Sequence, residues 1–185
     1  ESGQMQIVGW PMEYLRDTLK PYEGMEKENL ILFPHRIAPE KNIEIFKALK
    51  EHLPDYEYVV CQEQQLTKDD YHKLLGKAKV VFSANLQETL GISAYEGCLV
   101  DALPMVPDRL SYFEMYTEEF KYPSQPSVNL DQFNKKPDLV ISKLKDMIEN
   151  YDKYKEANSK LKTNLDKFFN GKALYQAIKD GVDAV

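Results

Sequence analysis

The sequence predicts an α/β fold: a Rossmann-like parallel sheet flanked by helices, with further helices at its C-terminal end. Three observations carry this. Short apolar runs of strand length alternate with segments of helical period, about four times over. The best of these runs is continuous rather than alternating in polarity, as for a strand buried on both faces. The segments between them are long enough for the crossover helices that parallel strands require.

In chain order, Pro11 to Leu19 reads as a first helix. Asn29-Leu30-Ile31-Leu32-Phe33 is the first buried strand. Asn42 to Leu53 follows as a helix, with Ile43, Phe46, Leu49 and Leu53 at helical spacing. Tyr56 to Cys61 is the second strand. The next helix, Thr67 to Ala78, opens on a capping box: Thr67 caps, and Asp70 stands where Glu or Gln is usual. Lys79 to Ser83 is the third strand, Gly91 to Ala102 a helix, and Leu103 to Val106 the fourth strand. Tyr112 to Phe120 is read as a helix and Tyr122 to Asn134, rich in turn formers, as a loop. From Pro137 the pattern is helical. Leu139, Leu144, Met147, Ile148 and Tyr151 make one stripe; Tyr154, Ala157, Leu161, Leu165 and Phe168 make a second. Asn170-Gly171 breaks the chain before a last short helix.

The boundaries expected are a linker and N-terminal helix over 1–28, a Rossmann-like ligand-binding core over 29–135, and C-terminal helices packing on the same domain over 136–185. The 185 residues suffice for one substantial core. A net charge of −6 argues against broad electrostatic binding of nucleic acid. Cys61 and Cys98 each sit in an apolar segment and read as buried thiols, which fits a reducing, cytoplasmic setting. No apolar run approaches the roughly 18 residues of a transmembrane segment. The chain begins at Glu1 rather than Met, and a fragment of a longer protein is expected.

In a parallel sheet, ligands bind beyond the carboxyl ends of the strands. Three groups of residues fall at that edge. Arg36 and Lys41 follow the first strand. A guanidinium fork and a compact ammonium together suit a pyrophosphate, or they stand exposed beside Glu40. Glu88 and Glu96 are separated by seven residues across the start of a helix, with Gly91 between them. Gly91 lets a ligand approach the backbone, and the first-turn amides from Leu90 to Ser93 can face an anion. Glu88 is placed for a hexose hydroxyl and Glu96 for a ribose; otherwise Glu88 serves the helix dipole and Glu96 lies on the surface. The third group is Asp108 to Met115, where Ser111 with Glu114 is favoured as a capping box. His35 ends the first strand within reach of a phosphate. His72, on a lysine-rich helix, is expected to be exposed. No Ser-His-Asp set and no His-rich metal motif can be assembled from spacing.

Arg36 and Lys41, the E-x7-E frame of Glu88 and Glu96, and Leu103-Pro104-Met105-Val106-Pro107-Asp108 together resemble the C-terminal, donor-binding half of GT-B glycosyltransferases, retaining family 4 in particular. The resemblance covers roughly Leu30 to Met115. It implies one half of a GT-B fold that transfers a hexose from a UDP-, GDP- or ADP-linked sugar with retention. By this resemblance Arg36 and Lys41 hold the donor diphosphate, Glu88 the transferred sugar, and Glu96 the ribose. The backbone of Thr89, Leu90, Gly91 and Ile92 contacts sugar and phosphate. No cofactor and no metal is implied, the partners being the nucleotide sugar, an unidentified acceptor and an acceptor-binding N-terminal domain that this chain lacks. An isolated fragment is then expected to bind donor without transfer.

Two departures bear on this. Only Gln62 to Leu66 separate the second strand from the next helix, where the family usually has a longer base-binding segment, so the base stays open. Gly97 replaces the Ala that usually follows the second Glu. A non-catalytic sugar-nucleotide module and a sugar-nucleotide epimerase half are the competing readings.

Overall fold

The computed structural model describes residues 11–87 and 91–183. Among these the elements run α1 (Tyr14–Leu19), β1 (Glu28–Phe33), α2 (Ile43–His52), β2 (Glu57–Val60), α3 (Lys68–Lys77), β3 (Ala78–Phe82), α4 (Ile92–Leu99), β4 (Leu103–Pro107), α5 (Tyr112–Met115), β5 (Lys121–Tyr122), α6 (Leu130–Lys135), α7 (Asp138–Glu149), α8 (Tyr151–Phe169) and α9 (Lys172–Asp183). The five strands form one parallel sheet in the order β2-β1-β3-β4-β5. The protein is therefore an α/β Rossmann-like domain. Its strand order reverses direction between β1 and β3, the switch point at which doubly wound sheets open a crevice.

Side-chain alternation shows how the helices cover both faces. Phe33 and Phe82 lie against Phe46 of α2, with ring centroids 5.3 and 5.9 Å away. Val81, one residue before Phe82, meets α4 at Gly97. Neighbours in a strand point to opposite faces, so α2 and α4 lie on opposite sides of the sheet. This is why Leu30, Ile31, Leu32 and Phe33 are all buried.

Gly97 sets the depth of α4. A Cβ there would stand 2.7 Å from Val81 Cγ2 and 3.2 Å from the Ala102 carbonyl oxygen. The helix then ends sooner than its apolar run suggests. Asp101 takes a left-handed φ of 61°, and the Ala102 amide turns back to the Gly97 carbonyl at 2.8 Å. α8 locks onto this corner. Asn158, fully buried, donates from Nδ2 to the Cys98 carbonyl and to Asp101 Oδ1, both at 3.0 Å, and accepts from the Cys98 thiol. Tyr95 of α4 stacks on Phe169 of α8 with ring centroids 3.8 Å apart. Cys61 and Cys98 are free, buried thiols.

Several local expectations are corrected. The helix expected over Tyr112 to Phe120 stops at Met115, and Glu118–Phe120 is a separate 3-10 turn. The Tyr122 to Asn134 stretch is not all loop, since it carries a 3-10 turn at Gln125–Ser127 and α6, capped by Asn129 Oδ1 on the Gln132 amide. Leu139 is 45% exposed, and Val140 takes its place in the buried stripe with Leu144, Met147 and Ile148. In α8 the buried line runs through Asn158 and Phe169 where Ala157 and Phe168 were expected. Ser111 does not form its capping box. Leu110 has already turned the chain with a φ of 56°, so Ser111 enters in helical conformation, and its hydroxyl is buried with no hydrogen-bond partner among the described residues. The box at Thr67 and Asp70 is formed, each side chain bonded to the other's amide.

Candidate functional site

The loops after β1 and β3 meet at the switch point. Asn42 stands between them in a left-handed conformation, φ 53°, at the start of α2. Its Nδ2 donates to the Ala84 carbonyl at 2.8 Å and the Ser127 carbonyl at 3.1 Å. The Leu86 amide bonds the Glu40 carbonyl at 2.7 Å. Lys41 Nζ donates to the Gln87 carbonyl at 3.2 Å. Lys41 is thereby held against the segment that leads into the E-x7-E frame.

Arg36 lies on the outer side of the same loop. Its side chain is 71% exposed and pairs with Glu40 Oε1 at 2.5 Å, an i, i+4 contact. His35 is turned inward. It is buried, with Nε2 2.9 Å from the Phe82 carbonyl oxygen and its ring edge-on to Phe33. The imidazole thus joins the ends of β1 and β3, the place where a phosphate contact was considered.

Gly91 caps α4 with φ 70°, a conformation that strains any residue with a Cβ. A Cβ there would also approach the Tyr112 ring to 3.1 Å. Ile92 begins the helix. Glu88, Thr89 and Leu90 lie outside the described residues.

Glu96 opens onto a cleft of about 460 Å³ between the ends of β1 and β2 and the first turns of α3 and α4. Pro34, Gln65, Lys68, Tyr71 and Ser93 line it with Glu96. The Glu96 side chain is only 14% exposed. Burial pushes its carboxyl up to about 7, with Lys68 opposing the shift. Behind it stands His72, whose side chain is 5% exposed, with Nε2 3.8 Å from Glu96 Oε2. His72 was expected on the surface, yet it lies between the rings of Tyr22 and Tyr71, at centroid distances of 5.3 and 5.7 Å. Burial lowers its pKa, and Lys68 adds to the depression. A recessed carboxylate beside hydroxyls and amides can accept hydrogen bonds from a neutral diol.

Sequence reasoning placed Ser93 at this edge but missed Lys68 and Tyr71 as lining residues. The signal was available for the helix: His72 and Leu75 share the buried face of α3, which turns Tyr71 and Lys68 toward the sheet's ligand edge. Arg109 has a role spacing could not show. Its guanidinium donates to the carbonyls of Asn85 at 2.9 Å and Ala84 at 2.8 Å, and to Ser127 Oγ at 2.8 Å. It braces the β3–α4 loop against the turn after β5, and burial lowers its pKa.

The sheet order and the switch-point crevice define an α/β domain of the Rossmann-like type. No protein-family model matches the chain. Among solved structures, the chain is similar to TarM, a glycosyltransferase of GT-B type, with a TM-score of 0.59 at 15% sequence identity. The match covers 95% of this chain and 37% of TarM, so the chain spans little more than a third of that protein's length. The likeness is one of fold: five parallel strands flanked by helices, consistent with a GT-B half domain. Among the described residues no helix is long and apolar enough to cross a membrane.

Proposed function

We propose that the chain is the donor-binding part of a glycosyltransferase that moves a hexose from a nucleoside diphosphate sugar to an acceptor with retention. The observation that carries this reading is the recessed Glu96 carboxylate in a cleft of about 460 Å³ at the ligand edge of a glycosyltransferase-like fold. Glu96 takes the ribose diol in that cleft. The base lies toward Gln65 and Tyr71. Lys41, beside the Gln87 carbonyl, and Arg36, released from Glu40, carry the diphosphate together with the amides around Gly91 and Ile92. Glu88 holds hydroxyls of the transferred sugar.

Catalysis on this reading is positioning plus charge stabilisation. As the anomeric carbon–oxygen bond breaks, negative charge grows on the diphosphate. Two cations and the positive end of α4 face that charge. The acceptor and the groups that handle its proton belong to the remainder of a longer protein.

Calorimetric titration with UDP-, GDP- and ADP-linked hexoses tests the reading. One series should bind saturably, and Glu96→Ala should weaken it by about tenfold or more, the scale of a charged hydrogen bond. Absence of binding to all three, or a Glu96→Ala protein that binds as the parent does, overturns it.

A further inference from the structure

A second cleft lies at the opposite edge of the sheet, about 600 Å³ in volume and within the usual size of small-ligand sites. Lys27, Lys79, Lys153 and Lys155 line it, with Glu149 and Asp152 as the carboxylates. Lys27 immediately precedes β1 and Lys79 is the second residue of β3, so both mark the amino ends of the strands. A strand of five residues spans roughly 17 Å, which separates this cleft from the Glu96 edge.

Among the described residues none of these lysines pairs with a carboxylate within 4 Å. Glu149 has its own partner, Lys145, at 3.9 Å. Lys27 Nζ donates to the Val100 carbonyl at 2.6 Å and lies 3.4 Å from that of Leu75. Lys79 Nζ donates to Asn29 Oδ1 at 2.7 Å and sits over the Tyr151 ring. Both ammonium groups are thus oriented by neutral acceptors and keep N–H capacity to spare. The start of α8 opens on the same space, and Asn150 makes no side-chain cap there. In a chain of net charge −6, cations from β1's approach, β3 and α8 converge where carboxylates do not balance them.

We propose that this cleft binds a small phosphorylated anion, a di- or oligophosphate, held by Lys27, Lys79, Lys153 and Lys155. The lysines carry the assignment, and the field at the start of α8 adds to it. Burial holds the Lys27 ammonium down, to about 7, with Asp101 opposing and Lys155 and Lys162 adding to the depression. An anion beside Lys27 favours its charged form, so binding near pH 7.5 takes up a proton.

Inorganic pyrophosphate is the probe, titrated by calorimetry into full-length Arg36→Ala/Lys41→Ala protein, so that those two donor-edge cations contribute nothing. Saturable binding is expected, with proton uptake read from buffers of different ionisation enthalpy. Adding Lys153→Gln/Lys155→Gln should weaken binding more than tenfold. Adding Lys79→Gln should do so as well, and Lys27→Met should take up fewer protons than the protein that keeps Lys27, the pyrophosphate's own protons being common to both. Should Lys27→Met fail to fold, the exposed α8 pair still decides the matter. No saturable binding, or binding that survives the α8 replacements, overturns the assignment.

Discussion

His72 Nε2 stands 3.8 Å from Glu96 Oε2, and both side chains are shielded from solvent. Burial acts on the two in opposite directions. It raises the Glu96 carboxyl from 4.5 to about 7 and lowers the pKa of His72 below 6.5. Between those limits the folded protein holds a proton on Glu96 that the unfolded chain has released. Stability is therefore lost as pH rises from about 4.5 to about 7, and the cost stays constant above that. For His72 the unfolded chain is the one that binds the proton, so stability is lost as pH falls below 6.5. Glu96→Gln should stabilise the protein at pH 8, by at most roughly 3 kcal/mol, and do almost nothing at pH 4. His72→Gln should blunt the acid-side loss. Urea unfolding of each variant across pH 4 to 8 checks this; a Glu96→Gln effect of equal size at both ends sinks it.

The same titration bears on ligand binding. A carboxylate accepts two hydroxyl hydrogens, whereas the protonated acid must give one position to its own O–H. Donor affinity should therefore rise as pH passes upward through about 7, by up to tenfold per unit on the acid side. In Glu96→Gln that rise should disappear. A parent protein whose Kd is flat from pH 6 to 8 contradicts the role given to Glu96.

Asn42 allows backbone and side-chain effects to be separated. Its left-handed φ of 53° costs most residues about 1 kcal/mol, and its amide joins the loops after β1 and β3 to the Ser127 turn. Asn42→Gly relieves the backbone but removes the hydrogen bonds, while Asn42→Ala loses both. The expected losses are about 1–2 kcal/mol for Gly and about 1 kcal/mol more for Ala. Denaturant midpoints in the reverse order would falsify this account.

Arg109 is replaceable by no other cation on these contacts. Its fork reaches carbonyls on both sides, Asn85 and Ala84 on one and Ser124 and Ser127 on the other. Arg109→Lys offers one compact ammonium in place of that fork and leaves buried carbonyls unfilled. A loss of about 2–4 kcal/mol is expected, together with weaker donor binding because the Ala84–Gln87 segment loosens. Stability equal to the parent's in thermal unfolding counts against the bracing role.

The layers of this fold were legible in the sequence because period and burial coincide. Leu30 to Phe33 form a run that only a strand covered on both faces accommodates, and Thr67 with Asp70 announces α3. What stayed hidden depends on contacts remote in sequence. Arg109 owes its role to turns at Ala84 and Ser127 that no local pattern displays. His72 carries a polar label, so its place beside Leu75 on the buried face went unread. Ser111 has the right neighbours for a cap but the wrong backbone, because Leu110 turns first. At the site, the loop cations and Glu96 could be assigned to one edge because each lies beyond the carboxyl end of an expected strand. The recess around Glu96 required α3 to be docked.

Gly97 offers a test of a close helix–sheet contact, one residue beyond Glu96. Replacing a helical glycine by alanine ordinarily gains about 1 kcal/mol of helix propensity. Here the new methyl would lie 2.7 Å from Val81 Cγ2 and 3.2 Å from the Ala102 carbonyl oxygen, the latter fixed by the turn that ends α4. Val81 is a central-strand residue with no room to swing aside, so α4 must lift. Overpacking of this kind costs about 1–3 kcal/mol and outweighs the propensity gain. Gly97→Ala should therefore be less stable than the parent, and Gly97→Val far less. The lift would also move Glu96 relative to Tyr71 across the cleft, weakening donor binding beyond what stability explains. A paired Val81→Ala change makes space and should recover part of both losses. If Gly97→Ala proves more stable than the parent, α4 does not sit as close to β3 as described.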